Sequence, residues 1–215
     1  MLRDCGVDVR TLDINRQFPD GVFIEDTAIV LDELAVLTSM GAESRRLEPA
    51  GIEPELRKYR EVHRIQFPAA IEGGDVLIVN RTLLVGVSLR TNLAGINALT
   101  SIVQPYGYRV LPVPVHDCLH LKSACSALPD DRLMVNPAWL DMTALQGFAW
   151  LHVPESEPWG ANLALAGDSV CLPSDHIETA NLIRDQGFEV RTADVSEFAK
   201  AEGGVTCLSL RFNAA

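Results

Sequence analysis

Paired cysteines are missing from this sequence. Its five cysteines, an odd number at irregular spacings, give no disulfide framework, and no CxxC pair offers a structural zinc knuckle. Positive charge is scarce as well: 18 Lys and Arg stand against 29 Asp and Glu, a formal net charge of −11. That balance excludes nucleic acid as a partner, since nucleic acid needs a basic face. It leaves carboxylates free to hold a small cationic ligand, although solubility alone also accounts for it. No apolar run approaches the ~18 residues of a membrane span and no signal peptide is read. No membrane partner is therefore expected, and a reducing cytoplasm is the expected compartment. No linker or low-complexity stretch interrupts the chain, which reads as one domain over residues 1–215.

What is present is an internal repeat. A helix end, a glycine and a strand follow one another in Leu2-Arg3-Asp4-Cys5-Gly6 and Val7 to Asp13. The same phrase returns in Ile183 to Asp194 around Gly187, and more loosely in Gln104 to Val113 around Gly107. Following that period gives units of helix, strand and hairpin. Hairpins are expected over Val22–Ser39, Gly74–Ser88, Leu119–Val135 and Ala161–Leu172, turning at Asp32-Glu33, Asn80-Arg81, Pro129-Asp130-Asp131 and Gly167-Asp168. Helices are expected over Glu53–Val62, after Thr91 as N-cap, over Ala138–Gln146, and from Asp175 with Glu178 as capping box to Gly187. Strands are expected at Arg64–Phe67, Tyr108–Val115 and Phe148–Val153, with a final half-hairpin at Val205–Phe212. Four hairpins and a half make roughly five α/β repeats, which can stack as a solenoid or close as a propeller. Neither end reads as a polar cap, so closure is the expectation, with the starts of the hairpins meeting at the axis.

Those starts are polar. Glu25-Asp26 precede the first hairpin, Glu72-Gly73-Gly74-Asp75 the second, and His116-Asp117-Cys118-Leu119-His120 the third; Gly203-Gly204-Val205-Thr206-Cys207 opens the last strand. An unpaired buried charge is costly, so carboxylates beside Val-Phe-Ile and Val-Leu-Ile runs must sit at a mouth or be paired. Several converging on one axis suit a guanidinium or ammonium ligand. Cys207 becomes a nucleophile only where a base or cation makes it a thiolate; otherwise a cysteine in an apolar strand is a small core residue. Arg45 and Arg90 follow the outer ends of hairpins and can reach over a mouth to grip a carboxylate, or stand as solvated surface arginines. His116, Cys118 and His120 alternate, which would place three zinc-ligand types on one face of a strand, though a turn into the hairpin fits the segment better.

Six phrases together carry a resemblance: Phe18 to Ala28, Ser44-Arg45-Arg46, Glu72 to Leu77, Ser88 to Asn92, Leu119 to Ser123 and Thr206 to Ser209. In this order and spacing they resemble the dimethylarginine dimethylaminohydrolases, which are guanidino-group-modifying enzymes with a five-bladed α/β propeller (pentein) fold. The resemblance implies hydrolysis of Nω-methylated arginines to citrulline and a methylamine. The alternatives are an arginine deiminase-like hydrolase of another guanidine and a non-catalytic binder of arginine-like ligands. It implies Cys207 as nucleophile, His120 as general acid and base, and Glu72 as the carboxylate that orients His120. Asp26 and Glu25 would hold the guanidinium, Arg45 and Arg90 the substrate carboxylate, and Asp20 the α-amino group, with the Ala201 carbonyl assisting. No cofactor and no catalytic metal are implied, and a homodimer stays open. The family carries an upstream strand and helix that this chain would lack, leaving the half-hairpin at Val205–Phe212 without its mate.

Overall fold

The computed structural model describes residues 1–214, and its elements repeat one unit four times. In the first unit β1 (Ala28–Val30) and β2 (Leu34–Leu37) form an antiparallel hairpin, helix α1 (Pro49–Leu56) crosses over, and β3 (Glu61–Arg64) returns parallel to β2. The second holds β4 (Val76–Val79), β5 (Thr82–Val87), α2 (Leu93–Val103) and β6 (Arg109–Pro114) in the same arrangement. The third opens with the one-turn helix α3 (Leu121–Ala124), then β7 (Cys125–Ala127), β8 (Leu133–Val135) and β9 (Trp150–His152). The fourth comprises β10 (Ala164–Ala166), β11 (Ser169–Pro173), α4 (Ile177–Asp185) and β12 (Glu189–Ala193). No helix among the described residues is long and apolar enough to cross a membrane.

The hairpin strands of each sheet are largely buried on both faces, which is why they read as continuous apolar runs, while the third strands, such as Glu61–Arg64 and Glu189–Ala193, are partly exposed. Successive side chains of a strand point to opposite faces. In β5, Leu83 and Val85 join Ile29, Val36 and Ile71 of the first unit, while Leu84 joins Leu121, Leu133 and Val135 of the third. Met134 of β8 turns the other way, toward Leu163, Val170 and Leu172 of the fourth. The core is thus a series of apolar wedges between neighbouring sheets.

Several expected elements differ. The first helix starts at Pro49, where a missing N–H costs nothing, and Pro54 lies inside it rather than at its start. The third strand of that unit is Glu61–Arg64, drawn upstream by its ladder with β2. The cap of α2 is Asn92, whose side chain accepts the Gly95 N–H, and not Thr91. Ala138–Gln146 forms two 3-10 turns, Pro137–Trp139 and Met142–Leu145, separated by an extended Leu140. No Asp175 capping box forms; the Glu157 carboxylate accepts the N–H groups of Glu178 and Thr179 instead.

The fifth repeat is not a sheet. Val7–Asp13 and Ser209–Asn213 carry no strand ladder. Both lie between the fourth and first sheets: Val7 and Leu208 pack on Ala164 and Cys171, while Leu12, Leu210 and Phe212 pack on the cluster of Val30 and Leu37. A strand needs a neighbour's backbone groups, and among the described residues none pairs with these two segments. Side chains tie them down instead, Arg60 to the Asn213 carbonyl and Arg211 to that of Leu165.

Closure is visible at the mouths. The Gly74 N–H donates to Asp26 Oδ1 (3.0 Å), and the Leu121 N–H to Asp75 Oδ1 (2.9 Å). Asn162 Nδ2 donates to the Lys122 carbonyl, and the Thr206 N–H donates to Asn162 Oδ1 (3.2 Å). The Glu25 N–H then donates to the Cys207 carbonyl (3.2 Å). These bonds join the four hairpin starts and the Thr206-Cys207 segment in a ring, first to second, third, fourth, then that segment and back to the first.

Candidate active site

At the ring four of the functional side chains leave short turns that feed the first strand of a hairpin. Glu25 and Asp26 sit on the 3-10 turn Ile24–Thr27 before β1, Glu72 precedes the turn Gly73–Asp75 before β4, and His120 caps α3 before β7. The glycines beside them are there for close approach. A Cβ on Gly74 would lie 2.7 Å from Asp26 Oδ1 and 2.8 Å from His120 Nδ1; one on Gly204 would lie 2.2 Å from Asn162 Oδ1. Gly203 and Gly204 thus let the Cys207 segment settle on Asn162 and Phe23 without adopting positive φ.

His120 Nε2 lies 2.8 Å from Glu72 Oε2 and 3.9 Å from Asp26 Oδ1. Glu72, fully buried, also accepts the Gly41 N–H at 2.9 Å and faces Arg90 Nη1 at 3.5 Å. Burial alone would lower the His120 pKa. The Asp26 charge, the Glu72 hydrogen bond and the Asp75 charge overcome it and raise the value to about 9. Burial likewise works against the Asp26 charge, and His120 and Arg45 hold that carboxyl below the usual range nonetheless. The Cys207 thiol is pushed up to about 12, first by burial and then by Glu25 and Asp26, against weak help from the Gly204 N–H at 3.5 Å and the Thr206 hydroxyl. In the unliganded protein Cys207 is a thiol and His120 an imidazolium.

A cavity of about 80 Å³ brings seven of the expected residues together. Asp26, His120 and Cys207 face Asp20 and Ala201 across it, with Arg45 and Arg90 at the side. Glu72 lies behind His120. Glu25 does not line the cavity: its Oε1 accepts from Lys122 Nζ at 2.8 Å, and its Oε2 is buried without a hydrogen-bond partner. Arg45 is buried and mostly committed. Its Nε and Nη2 serve Glu48, and Nη2 also meets the Asp20 and Phe23 carbonyls. Nη1 serves Asp26, which leaves one N–H. A bidentate grip by Arg45 on a substrate carboxylate is not available in this arrangement, whereas Arg90, 26% exposed, is held through its side chain only by Nη1 at 3.5 Å from Glu72.

His116 and Cys118 do not gather with His120. Cys118 Sγ is directed at the His120 carbonyl, 3.4 Å away, because the segment turns instead of running flat. Asp26, Glu72 and His120 do bring donor atoms within 4.8 Å of one another, a spacing accounted for by the His120–Glu72 hydrogen bond and the surrounding charge pairs. Three residues at the site had no role in the sequence reading. Glu48 lies three positions after Arg45, the helical spacing for a pair. Lys122 lies two after His120. Phe23 lines the cavity and stacks edge-on against Phe198, with no sequence signal beyond its place among the matched residues.

A closed ring of α/β hairpins with Cys, His and carboxylates at its axis defines an arginine deiminase-type protein, and the family model described as arginine deiminase matches residues 17–155. Within that class the chain belongs to the dimethylarginine dimethylaminohydrolase family. It is 33% identical to the N(G),N(G)-dimethylarginine dimethylaminohydrolase of Pseudomonas aeruginosa, over 98% of this chain and 84% of that protein. It is 42% identical to that of Streptomyces coelicolor, over 90% and 74%. A structure of the Pseudomonas aeruginosa enzyme, a mutant complexed with citrulline, superposes with a TM-score of 0.92 at 32% identity over 98% of this chain and 84% of that one. The N-terminal domain of a cyanobacterial arginine dihydrolase shares the fold, with a TM-score of 0.82 at 21% identity over 92% and 77%.

Proposed function

We propose that this protein hydrolyses Nω-methylated arginine to citrulline and a methylamine through a covalent adduct on Cys207. The observation that carries the proposal is one cavity holding Cys207, His120 backed by Glu72, and the Asp26 carboxylate. The relatives named for this activity, and the citrulline held by one of them, support it. A guanidinium resists attack because its charge is delocalised; Asp26 localises that charge and fixes the carbon near sulfur. The same cation offsets Glu25 and Asp26, which keep Cys207 protonated when the site is empty, so ligand binding releases the thiol proton to solvent.

The thiolate adds to the guanidinium carbon. His120, already protonated at neutral pH, gives its proton to the departing amine as the C–N bond breaks, leaving a thiouronium and a neutral imidazole. That imidazole takes a proton from water, the hydroxide adds, and the C–S bond breaks; the departing sulfur takes the adduct's hydroxyl proton, giving neutral citrulline, the Cys207 thiol and the His120 imidazolium. Glu72 holds His120 in place through both halves. Arg90 binds the substrate carboxylate, with at most one hydrogen bond from Arg45, while Asp20 and the Ala201 carbonyl receive the α-amino group. Glu25 acts from behind, through its charge on Cys207 and its pair with Lys122.

Citrulline release from asymmetric dimethylarginine, with arginine alongside, tests this. Turnover that disappears in Cys207→Ser supports it, and the preferred substrate separates a dimethylargininase from an arginine deiminase. Ligand binding without turnover in either substrate would overturn the hydrolase reading in favour of a binding protein.

A further inference from the structure

Asp75 is a carboxylate for which the reaction scheme has no role. It is fully buried, and a buried carboxylate persists only where donors meet it. Its Oδ1 accepts the Leu121 N–H at 2.9 Å and its Oδ2 the Ser88 hydroxyl at 2.6 Å. Ser88 Oγ in turn accepts the N–H groups of Arg90 at 3.0 Å and Thr91 at 3.2 Å, and Thr91 Oγ1 accepts the Glu72 N–H at 3.2 Å. These paths end at the backbone beside His120, at Arg90 and at Glu72. Room for the arrangement comes from Gly86 in β5: a Cβ there would lie 2.4 Å from Asp75 Oδ1 and 3.0 Å from Leu121 Cβ.

We propose that Asp75 is a positioning residue for the site: through the Leu121 N–H it sets the turn that presents His120, and through Ser88 it sets the loop that presents Arg90. The proposal rests on the hydrolase reading for its kinetic consequences, though not for its structural one. The polarity of the network is fixed. Ser88 Oγ already accepts two N–H groups and must donate its own hydrogen, so the group facing it has to be an acceptor. An amide nitrogen in place of Asp75 Oδ2 would meet a hydroxyl with no lone pair to spare, and a buried donor left unpaired forces the loop to move. The charge of Asp75 also acts on its surroundings. His120 and Cys118 from the third hairpin start face it, and Asp26 and Glu72 complete the set facing His120. Burial raises the Asp75 pKa against these contacts.

Asp75→Asn tests the proposal by two independent readouts. The first is an NMR titration of the His120 imidazole in the unliganded protein, which needs no turnover; its midpoint is expected to fall by about one pH unit as a facing negative charge is removed. The second is steady-state kinetics, where kcat is expected to drop about 10- to 100-fold from a misplaced His120. Ser88→Ala keeps the Leu121 link and removes the acceptor of the Arg90 and Thr91 N–H groups, so KM should rise several-fold with kcat falling less than in Asp75→Asn. Wild-type protein that turns over neither substrate would sink the hydrolase reading while leaving the His120 titration decisive for Asp75. An unmoved His120 midpoint with kcat within about twofold of wild type would overturn the proposal. Should Asp75→Asn fail to fold, Ser88→Ala decides: a raised KM supports the proposal and an unchanged one overturns it.

Discussion

Arg45 Nη1 donates to Asp26 Oδ2 at 2.7 Å with both side chains buried, and Glu48 takes the opposite side of the same guanidinium at 2.8 Å. One planar fork therefore holds two carboxylates that would otherwise repel in a dry site. Removing one partner of a buried ion pair leaves a charge with no counterpart, typically costing about 3–5 kcal/mol. Arg45→Met is expected to lose stability of that order in urea unfolding. Adding Glu48→Gln to it should recover part of the loss, because one of the two stranded charges is gone. Equal stability of the single and double variants would contradict this account.

Gly74→Ala probes the closeness of the mouths. The new methyl would meet Asp26 Oδ1 on one side and the His120 ring on the other. Neither is the free end of a long chain, since Asp26 is held by Arg45 and the Gly74 N–H, and His120 by Glu72. A shift of the order of 1 Å in His120 is enough to cost about 100-fold in rate. The expected result is kcat reduced by that order with circular dichroism unchanged; activity within about twofold of wild type would show that the mouths are looser than their distances imply.

The hairpins were legible in the sequence because both their ends announce themselves: a polar mouth at the start and a turn such as Asn80-Arg81, where Asn80 takes φ 53°, at the tip. The crossover elements were less so. Ala138–Gln146 has helix-forming residues yet folds as two 3-10 turns, and Glu61–Arg64 becomes a strand by pairing with β2, which no local pattern reports. The Val7–Asp13 alternation holds only through Val9 and shifts phase at Arg10-Thr11, after which Leu12 turns inward, and a ladder depends on a neighbour and not on the strand itself. Site residues quoted in the six matched phrases came together in one cleft, except that Glu25 turned to Lys122 and Glu72 sits behind His120. Asp75 and Glu48 escaped for a common reason: each acts through contacts far along the chain or through a partner's unused atoms.

His120 links activity to stability through pH. Its folded-state pKa of about 9 lies above the ordinary value of 6.5, so the folded protein binds this proton more tightly than the unfolded chain. The stabilisation is fully present below about pH 6.5 and is lost as pH rises through about 9; at ~1.36 kcal/mol per unit it amounts to about 3 kcal/mol. Urea unfolding at pH 6 and at pH 10 should show a fall of that order in the wild type. His120→Gln, which carries no charge at any pH, should show a much smaller fall over the same interval. Parallel pH dependences in the two proteins would place the buried proton elsewhere.

Cys207 offers the complementary test, because its thiol is pushed up to about 12 by burial and by the charges of Glu25 and Asp26. Alkylation proceeds through the thiolate, so iodoacetamide should modify Cys207 slowly at pH 8, with a rate that climbs steadily above it. Glu25→Gln removes a negative charge that opposes ionisation without touching the sulfur's hydrogen bonds from Gly204 and Thr206. It should lower the thiol pKa, and each unit brings about a tenfold faster reaction at fixed pH below the midpoint. Lys122 complicates the comparison, since losing its partner at 2.8 Å leaves a cation near the same cleft, which pushes the thiol pKa further in the same direction. Lys122→Met separates the two effects: on its own it should slow alkylation, by leaving Glu25 with only the more distant Arg211 at 3.9 Å to offset its charge on Cys207. Peptide mass spectrometry resolves Cys207 from the other cysteines, and a Glu25→Gln rate no faster than wild type would mean that burial and Asp26 set the thiol without Glu25.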